Sequence, residues 1–526
     1  MEFSAHNRLE LFGHQEDVPY DIIIIGGGIT GAGIALDAAL RGFKTLLIEK
    51  NDFASGTSSK STKLIHGGLR YLKQMEFALV REVGLERAIL HNMLPHLVLP
   101  GKMLLPIVEN GSLGKYSTNA ALWVYDYLAQ VDKEDKKKML NKEETLEAEP
   151  LLYSENVKSG ALYAEYKTDD ARLTLELLKA ASTQGAICMN YCEAKHFVMG
   201  NENESHTVEI KDYLSDQTIK AKAKCIINAS GPWTDKVLNI NKGKLSNKIF
   251  LSKGVHLVID RTKLPLQQSI YFDIGDGRMM FAIPRLNKIY FGTTDTAYTG
   301  DIDDVRTDRD DALYLIKALN RQFTNANINL DDIESSWAGL RPLIRKEGQS
   351  STEMSRKDEV FISPDGLISI AGGKLTGYRK MAERVVDLAE EQLRGKKSPC
   401  KTANYSFRCK SIEKYSEEDY YHVNYGSAAR QFLDGIDKGN KEKRLYAELN
   451  YCIMHESCTS PLDYFARRSG RLYFDINGVK EDLDICLDYF STAFNWTAER
   501  IERERELVLT QIRILSLEDI KKASQV

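Results

Sequence analysis

Three glycines within six residues carry the first chemistry in this chain. Gly26-Gly27-Gly28-Ile29-Thr30-Gly31 is a G-x-G-x-x-G turn. Gly26 lets the chain turn sharply off a strand, Gly28 removes a Cβ so that backbone can approach a pyrophosphate, and Gly31 lets helix and strand pack closely. A helix that starts here offers N–H groups and a partial positive charge to phosphates. Glu49 follows about 20 residues on, where a carboxylate accepts from ribose hydroxyls and disfavours a 2′-phosphate. The bland alternative is a glycine-rich turn with no ligand. Against it, strand, turn, helix, strand and acid stand in order. The motif predicts a dinucleotide without separating FAD from NAD.

The elements that position these residues are readable around them. Residues 20–25, YDIIII, are a β-branched apolar run that suits a strand buried on both faces. A helix then runs to about Gly42, with Ala32, Gly33 and Ala35 small enough for close packing, and residues 44–50 form a second strand. Helical periodicity returns at 75–97, and residues 132–149 are charged and read as exposed. Thr168 reads as the N-cap of a helix that stops before Gly185, with a strand at 186–189. Residues 192–300 alternate as strands do, 307–323 read as a helix, and 367–371 enter a glycine turn followed by a helix at 376–394. Residues 1–19 read as a polar lead-in. Composition shifts at 396–426, and 427–512 read as helical.

Bulk properties narrow the class. A chain of 526 residues predicts two or three domains. Hydrophobic and charged fractions of 43% and 28% are those of a globular protein, and a net charge of −4 does not point to nucleic acid. The eight cysteines form no CxxC pair and no zinc spacing, so they read as reduced thiols with no metal. The N-terminal residues carry no apolar signal-peptide core, and no run approaches the roughly 20 apolar residues of a membrane span. That leaves contact with a membrane surface open.

A second set of motifs identifies a family. The run from Ser55 to Tyr71, SGTSSKSTKLIHGGLRY, is followed by NASGPW at 228–233, SKGVH at 252–256, GTTD at 292–295, GLRPL at 339–343 and GGKLTGYR at 372–379. Together these resemble the FAD-dependent glycerol-3-phosphate dehydrogenases of the glycine oxidase and D-amino-acid oxidase superfamily. Residues 461–474, PLDYFARRSGRLYF, resemble the family's C-terminal helical domain more loosely. The resemblance implies an α/β flavoprotein: a Rossmann-like FAD domain from 1–75, 166–240 and 357–396, a sheet-based substrate domain from 76–165 and 241–356, and a helical domain over 397–526. It implies oxidation of sn-glycerol 3-phosphate to dihydroxyacetone phosphate, with electrons passing through FAD to a membrane quinone. The expected location is the inner face of the cytoplasmic membrane, held peripherally, and a homodimer is compatible.

The resemblance also implies site residues. Arg70, Arg341 and Arg356 are expected at the substrate phosphate, where planar, permanently charged guanidiniums fit. Tyr71 is expected to hydrogen-bond the substrate or to pack. His256, after a Lys-Gly turn and heading VHLVI, is the first choice for the general base, since a neutral imidazole takes an alcohol proton near pH 7. His66, beside Gly67-Gly68, is placed at the flavin ring or ribityl chain. Gly373, Lys374 and Thr376 are placed at the flavin's pyrimidine edge, where helix-terminal N–H groups and an ammonium stabilise negative charge. Ser58 and Ser59 are expected to donate to the FAD phosphates or ribose, or else to make local turn hydrogen bonds. Surface ion pairs are the ordinary fate of arginines, and a satisfied strand histidine is the ordinary alternative for His256. His6, His14, His91, His96 and His422 read as surface or core residues.

Three rivals stand beside this reading. An α-glycerophosphate oxidase would pass the electrons to oxygen, although that group often carries an insertion and is longer. An amine or amino-acid oxidase would need a single fork for a carboxylate, against several arginines here. A non-catalytic nucleotide-binding module would leave the substrate motifs unexplained.

Overall fold

The computed structural model describes residues 3–16, 18–66, 77–109, 111, 114–128, 136–200, 204–240, 248–345, 358–410 and 419–524. Two sheets and a helical unit organise them. In the first sheet Pro19–Ile25 lies at the centre, parallel to Thr45–Ile48 on one side and to Thr218–Asn228 on the other. Ile187–Met189 and Ile368–Ala371 extend it as further parallel strands, and Glu359–Ile362 closes one edge antiparallel. A hairpin, Cys192–Val198 and His206–Asp212, joins Thr218–Asn228. The isoleucines at 22–24 are fully buried, as a run covered on both faces requires.

The helix Ile29–Leu40 packs on this sheet, and its residues 31–39 are buried. Helix Tyr378–Arg394 crosses it at Gly33, where a Cβ would lie 2.8 Å from Cδ2 of Tyr378. The small residues expected for tight packing are therefore where two helices meet.

The second sheet is mostly antiparallel and is built around the long pair Ile249–Asp260 and Ile333–Ile344. It continues through Lys288–Gly292, Met279–Arg285 and Ser269–Asp273 to Leu99–Val108 and Val157–Lys167. Leu64–Ile65 pairs at its far edge with Lys167 and Tyr166. That short strand falls within residues 1–75 and belongs to the second sheet.

Several expectations are corrected locally. The helix after Thr168 is capped by Asp169, whose carboxylate accepts from Arg172 N–H at 3.1 Å. The lead-in packs on the fold: Phe3, Ala5 and Phe12 are buried, and Arg8 pairs with Asp212 at 2.7 Å. The charged stretch before 150 contains the strand Lys138–Leu140 and a short helix, Lys142–Ala148, with a capping box from Asn141 and Glu144. The C-terminal helices begin at Tyr420 and include Lys441–His455, Ile476–Phe494 and Ala498–Leu515. No helix among the described residues is long and apolar enough to cross a membrane.

Candidate active site

Two adjoining cavities lie between the sheets. The larger, about 410 Å³, is lined by Gly26, Gly28, Glu49, Ser58 and the turn Gly372–Leu375. The smaller, about 220 Å³, is lined by His66, His256, Arg278, Arg341, Lys374 and Thr376. Thr57, Pro342, Gly373, Lys374 and Leu375 belong to both walls, so the two are lobes of one site.

The larger lobe is made of backbone. Gly26 sits at φ +118°, and a Cβ there would lie 2.6 Å from the carbonyl oxygen of Ala229. A Cβ on Gly31 would fall onto the carbonyl oxygen of Gly26 itself. Gly28 precedes the helix and brings no side-chain cap. Ser58 Oγ accepts from Ile29 N–H at 2.9 Å, which ties the polar run to the helix start. The Glu49 carboxylate accepts from Gly27 N–H at 2.7 Å and Asn51 N–H at 2.9 Å. Burial raises its pKa, and those two N–H groups oppose the rise. Glu49 thus holds the glycine turn in shape as well as lining the lobe. At the other side Gly372 and Gly373 take φ of +82° and +77°, turning the strand Ile368–Ala371 into the helix start at Leu375. Adjacent positive-φ positions strongly favour glycine. This cradle, closed to any added Cβ at Gly26 and Gly31 and edged by a helix start whose N-cap residue, Gly28, carries no side chain, fits the ADP half of a dinucleotide.

The smaller lobe is made of side chains. His256 is 1% exposed on Ile249–Asp260 and stacks on Trp337 at 4.9 Å. Its Nε2 lies 3.0 Å from Thr62 Oγ1, and its buried Nδ1 has no hydrogen-bond partner among the described residues. Burial, and then the charges of Arg341 and Lys63, push its pKa well below the usual histidine range, so the ring is neutral. Arg341, on the paired strand, donates to Thr293 Oγ1 at 2.8 Å and to the Thr294 carbonyl at 3.1 Å, with Asp295 3.5 Å away. Gly254 makes room for it, since a Cβ there would lie 2.7 Å from the guanidinium carbon. His66 lines this lobe and not the larger one. Its ring packs on Phe281 at 5.3 Å, and its carbonyl accepts from Thr376 Oγ1 at 3.2 Å.

The sequence-derived set is therefore divided. Gly26, Gly28, Glu49 and Ser58 line the larger lobe, Gly373 and Lys374 line both, and His66, His256, Arg341 and Thr376 line the smaller. Gly31 shapes the cradle from behind. Ser59 is buried and lines neither lobe; its hydroxyl lies 3.5 Å from the Gly56 carbonyl, as a turn residue's would. Arg70, Tyr71 and Arg356 lie outside the described residues.

Sequence reasoning missed Thr62, Arg278 and Trp337. Thr62 sits in the polar run that marked the cofactor side, although its hydroxyl serves His256. Arg278 lines the smaller lobe from the turn after Ser269–Asp273 and pairs with Asp276. Its only local signal is a position between glycine and methionine. Trp337 stands two residues before Gly339, just outside the motif GLRPL.

Comparison with known proteins agrees with this architecture. The family described as FAD dependent oxidoreductase matches residues 21–379, and the C-terminal domain of alpha-glycerophosphate oxidase matches residues 375–501. The chain is 44% identical to the aerobic glycerol-3-phosphate dehydrogenase of Bacillus subtilis, over 96% of this chain and 97% of that protein. It is 42% identical to the aerobic glycerol-3-phosphate dehydrogenase of Staphylococcus saprophyticus, over 98% of both. The crystal structure of the glycerol-3-phosphate dehydrogenase from Bacillus halodurans complexed with FAD superposes with a TM-score of 0.82 at 39% identity, covering 98% of each chain. The two-lobed site lies on this shared framework, and the chain belongs to the FAD-dependent oxidoreductases, in the branch of the FAD-dependent glycerol-3-phosphate dehydrogenases.

Proposed function

We propose that this chain oxidises sn-glycerol 3-phosphate to dihydroxyacetone phosphate and hands the electrons to a membrane quinone. The observation that carries the reading is the junction of the lobes: Arg341, His256 and Lys374 share a small chamber that opens onto the cofactor cradle. The relatives named as aerobic glycerol-3-phosphate dehydrogenases support the substrate. Bound FAD supplies the acceptor for the hydride that leaves the substrate's secondary carbon.

The protein's own groups do the rest. Arg341 offers a planar fork to the phosphate, and its bonds to Thr293 and Thr294 fix the fork's plane. Arg70 and Arg356 are proposed as further phosphate ligands, with Tyr71 beside them. His256, neutral by burial, takes up a proton at Nε2 through Thr62, whose hydroxyl lies 3.0 Å from that nitrogen and passes on its own proton as it receives the substrate's. Lys374 brings positive charge to the seam of the two lobes, where negative charge develops. A peripheral site on the inner face of the cytoplasmic membrane follows from a lipid-soluble acceptor.

One specific observation favours a second reading. The match of residues 375–501 to an oxidase's C-terminal domain supports oxygen as the acceptor. Anaerobic reduction by glycerol 3-phosphate, followed by separate reoxidation with a quinone analogue and with oxygen, decides. Bleaching by the substrate and fast reoxidation by the quinone alone is expected. No bleaching would overturn the substrate; fast reoxidation by oxygen would overturn the quinone.

A further inference from the structure

A buried carboxylate, Asp52, ties the C-terminal helical unit to the cofactor lobe. Asp52 is 1% exposed and lies just past Glu49. One of its oxygens accepts from Arg467 Nε and Arg468 Nη1, and the other accepts from Asn190 at 3.1 Å. Arg468 is fully buried and Arg467 nearly so. Consecutive helical residues ordinarily diverge by about 100° around the axis. Here the two long side chains nevertheless reach one oxygen, from the π-helical turn Tyr464–Arg468. Such turns are rare and cluster at functional sites. Burial works against the ionised Asp52, and Arg468 and Arg467 nevertheless hold its pKa below the ordinary value.

What Asp52 anchors is a lever into the flavin site. The Phe53 ring fills the space beside Gly27, where a Cβ would lie 2.7 Å from it. Ala54 N–H donates to the Gly27 carbonyl at 3.1 Å. Residues 55–58 line the cofactor lobe, and Ser58 receives the Ile29 N–H. The helical unit is also docked elsewhere. Glu456 pairs with Arg172 at 2.6 Å and with Lys179 at 3.1 Å, and neither bond touches residues 52–58. Arg468 also donates to the Glu456 carbonyl at 2.7 Å, whereas Arg467 bonds Asp52 and Asp463, so docking through Glu456 and levering through Arg467 are the separable pair.

We infer that the C-terminal helical unit is a positioning device for the flavin, and that Arg467 and Arg468 are its positioning residues, acting through Asp52 on residues 53–58. The inference rests on the cofactor lobe and not on the substrate, so its test uses no substrate. Holoenzyme is followed for FAD release by the rise in flavin fluorescence, with the unfolding temperature measured alongside. Arg467→Met and Asp52→Asn should each speed release roughly tenfold, the loss of one buried charge partner seen at a distance. The double variant should be no faster than the faster single, and Arg467→Lys should recover most of the retention. Lys179→Met, which weakens docking alone, should lower the unfolding temperature without speeding release. Wild-type release from Arg467→Met overturns the inference. So does release from Lys179→Met as fast as from Arg467→Met, or a double variant whose effect is the product of the singles. Should Asp52→Asn fail to fold, Arg467→Met against Lys179→Met still decides, because Arg467 is the less buried of the two arginines.

Discussion

The two lobes of the site are built from different materials. The cofactor lobe is shaped by missing atoms: glycines at 26 and 31 whose Cβ positions are already filled by backbone, and a carboxylate whose bonds go to main-chain N–H groups. The substrate lobe is shaped by atoms present: Thr62 from the N-terminal part of the chain, with His256, Arg278 and Arg341 from the second sheet, where strand register places His256 and Arg341. A backbone cradle cannot accept one extra carbon. A side-chain lobe accepts replacements of equal volume and loses only the chemistry. The lobes should therefore fail in different ways.

The sharpest contrast comes from Gly31→Ala, with the largest expected effect. Its Cβ would collide with the Gly26 carbonyl, and helix and turn would have to part. The expected product is a folded, colourless chain with no flavin absorbance and no activity. A yellow, active Gly31→Ala would show that the cradle yields, and the distinction between the lobes would break. Next comes His256→Asn, which keeps a polar side chain near Trp337 and removes the basic imidazole. It should retain FAD fully while the substrate bleaches it about 10²–10⁴-fold more slowly in stopped flow. Bleaching at the wild-type rate would move the proton acceptor elsewhere.

The same difference explains how much could be read from the sequence. The cofactor lobe was legible because its parts are local: strand, glycine turn, helix and acid follow each other within 30 residues, and spacing alone encodes the geometry. Adjacent serines in a polar run look alike, and here Ser58 lines the lobe while Ser59 makes the local turn contact that was its stated alternative. The substrate lobe was legible only through family motifs. Strand pairing sets Arg341 opposite Ser252 and His256 opposite Trp337, and no local pattern encodes a register between distant strands. Thr62 and Arg278 lie in loops outside the paired strands, with no local mark of the lobe they line. Asp169 displaced Thr168 as a helix cap because neighbouring oxygen-bearing residues cap almost equally well, and the tertiary ion pairs with Lys63 and Arg285 choose between them.

A smaller effect should follow Arg341→Met. The fork's charge is partly balanced by Asp295, so its loss costs about 2–5 kcal/mol in kcat/KM, mostly through KM for glycerol 3-phosphate. Arg341→Lys should recover little, because an ammonium cannot hold both Thr293 and Thr294 while facing a phosphate. FAD content should stay at the wild-type level in both, which separates them from Gly31→Ala. A normal KM in Arg341→Met would move the phosphate to other residues.

The smallest effect concerns stability against pH, and it tests how dry the substrate lobe is. Burial, with Arg341 and Lys63 nearby, keeps His256 neutral in the folded chain well below the ordinary histidine range. In the unfolded chain it takes up a proton near pH 6.5. Below that pH the unfolded state binds more protons, so stability falls as pH falls; above it the group contributes no slope. His96, also buried and pushed down to about 4, adds a slope of the same sign. Removing one of the two should flatten the decline. Between pH 7 and 5.5, His256→Asn should spare the holoenzyme about 1 kcal/mol of the wild-type loss, read from denaturant midpoints at each pH. The Gly31→Ala chain keeps both histidines and should keep the full slope, whatever its absolute stability. An unchanged slope in His256→Asn would mean that the ring titrates alike in both states. Water would then reach His256, and the substrate lobe would be as open as the turn that leads into it.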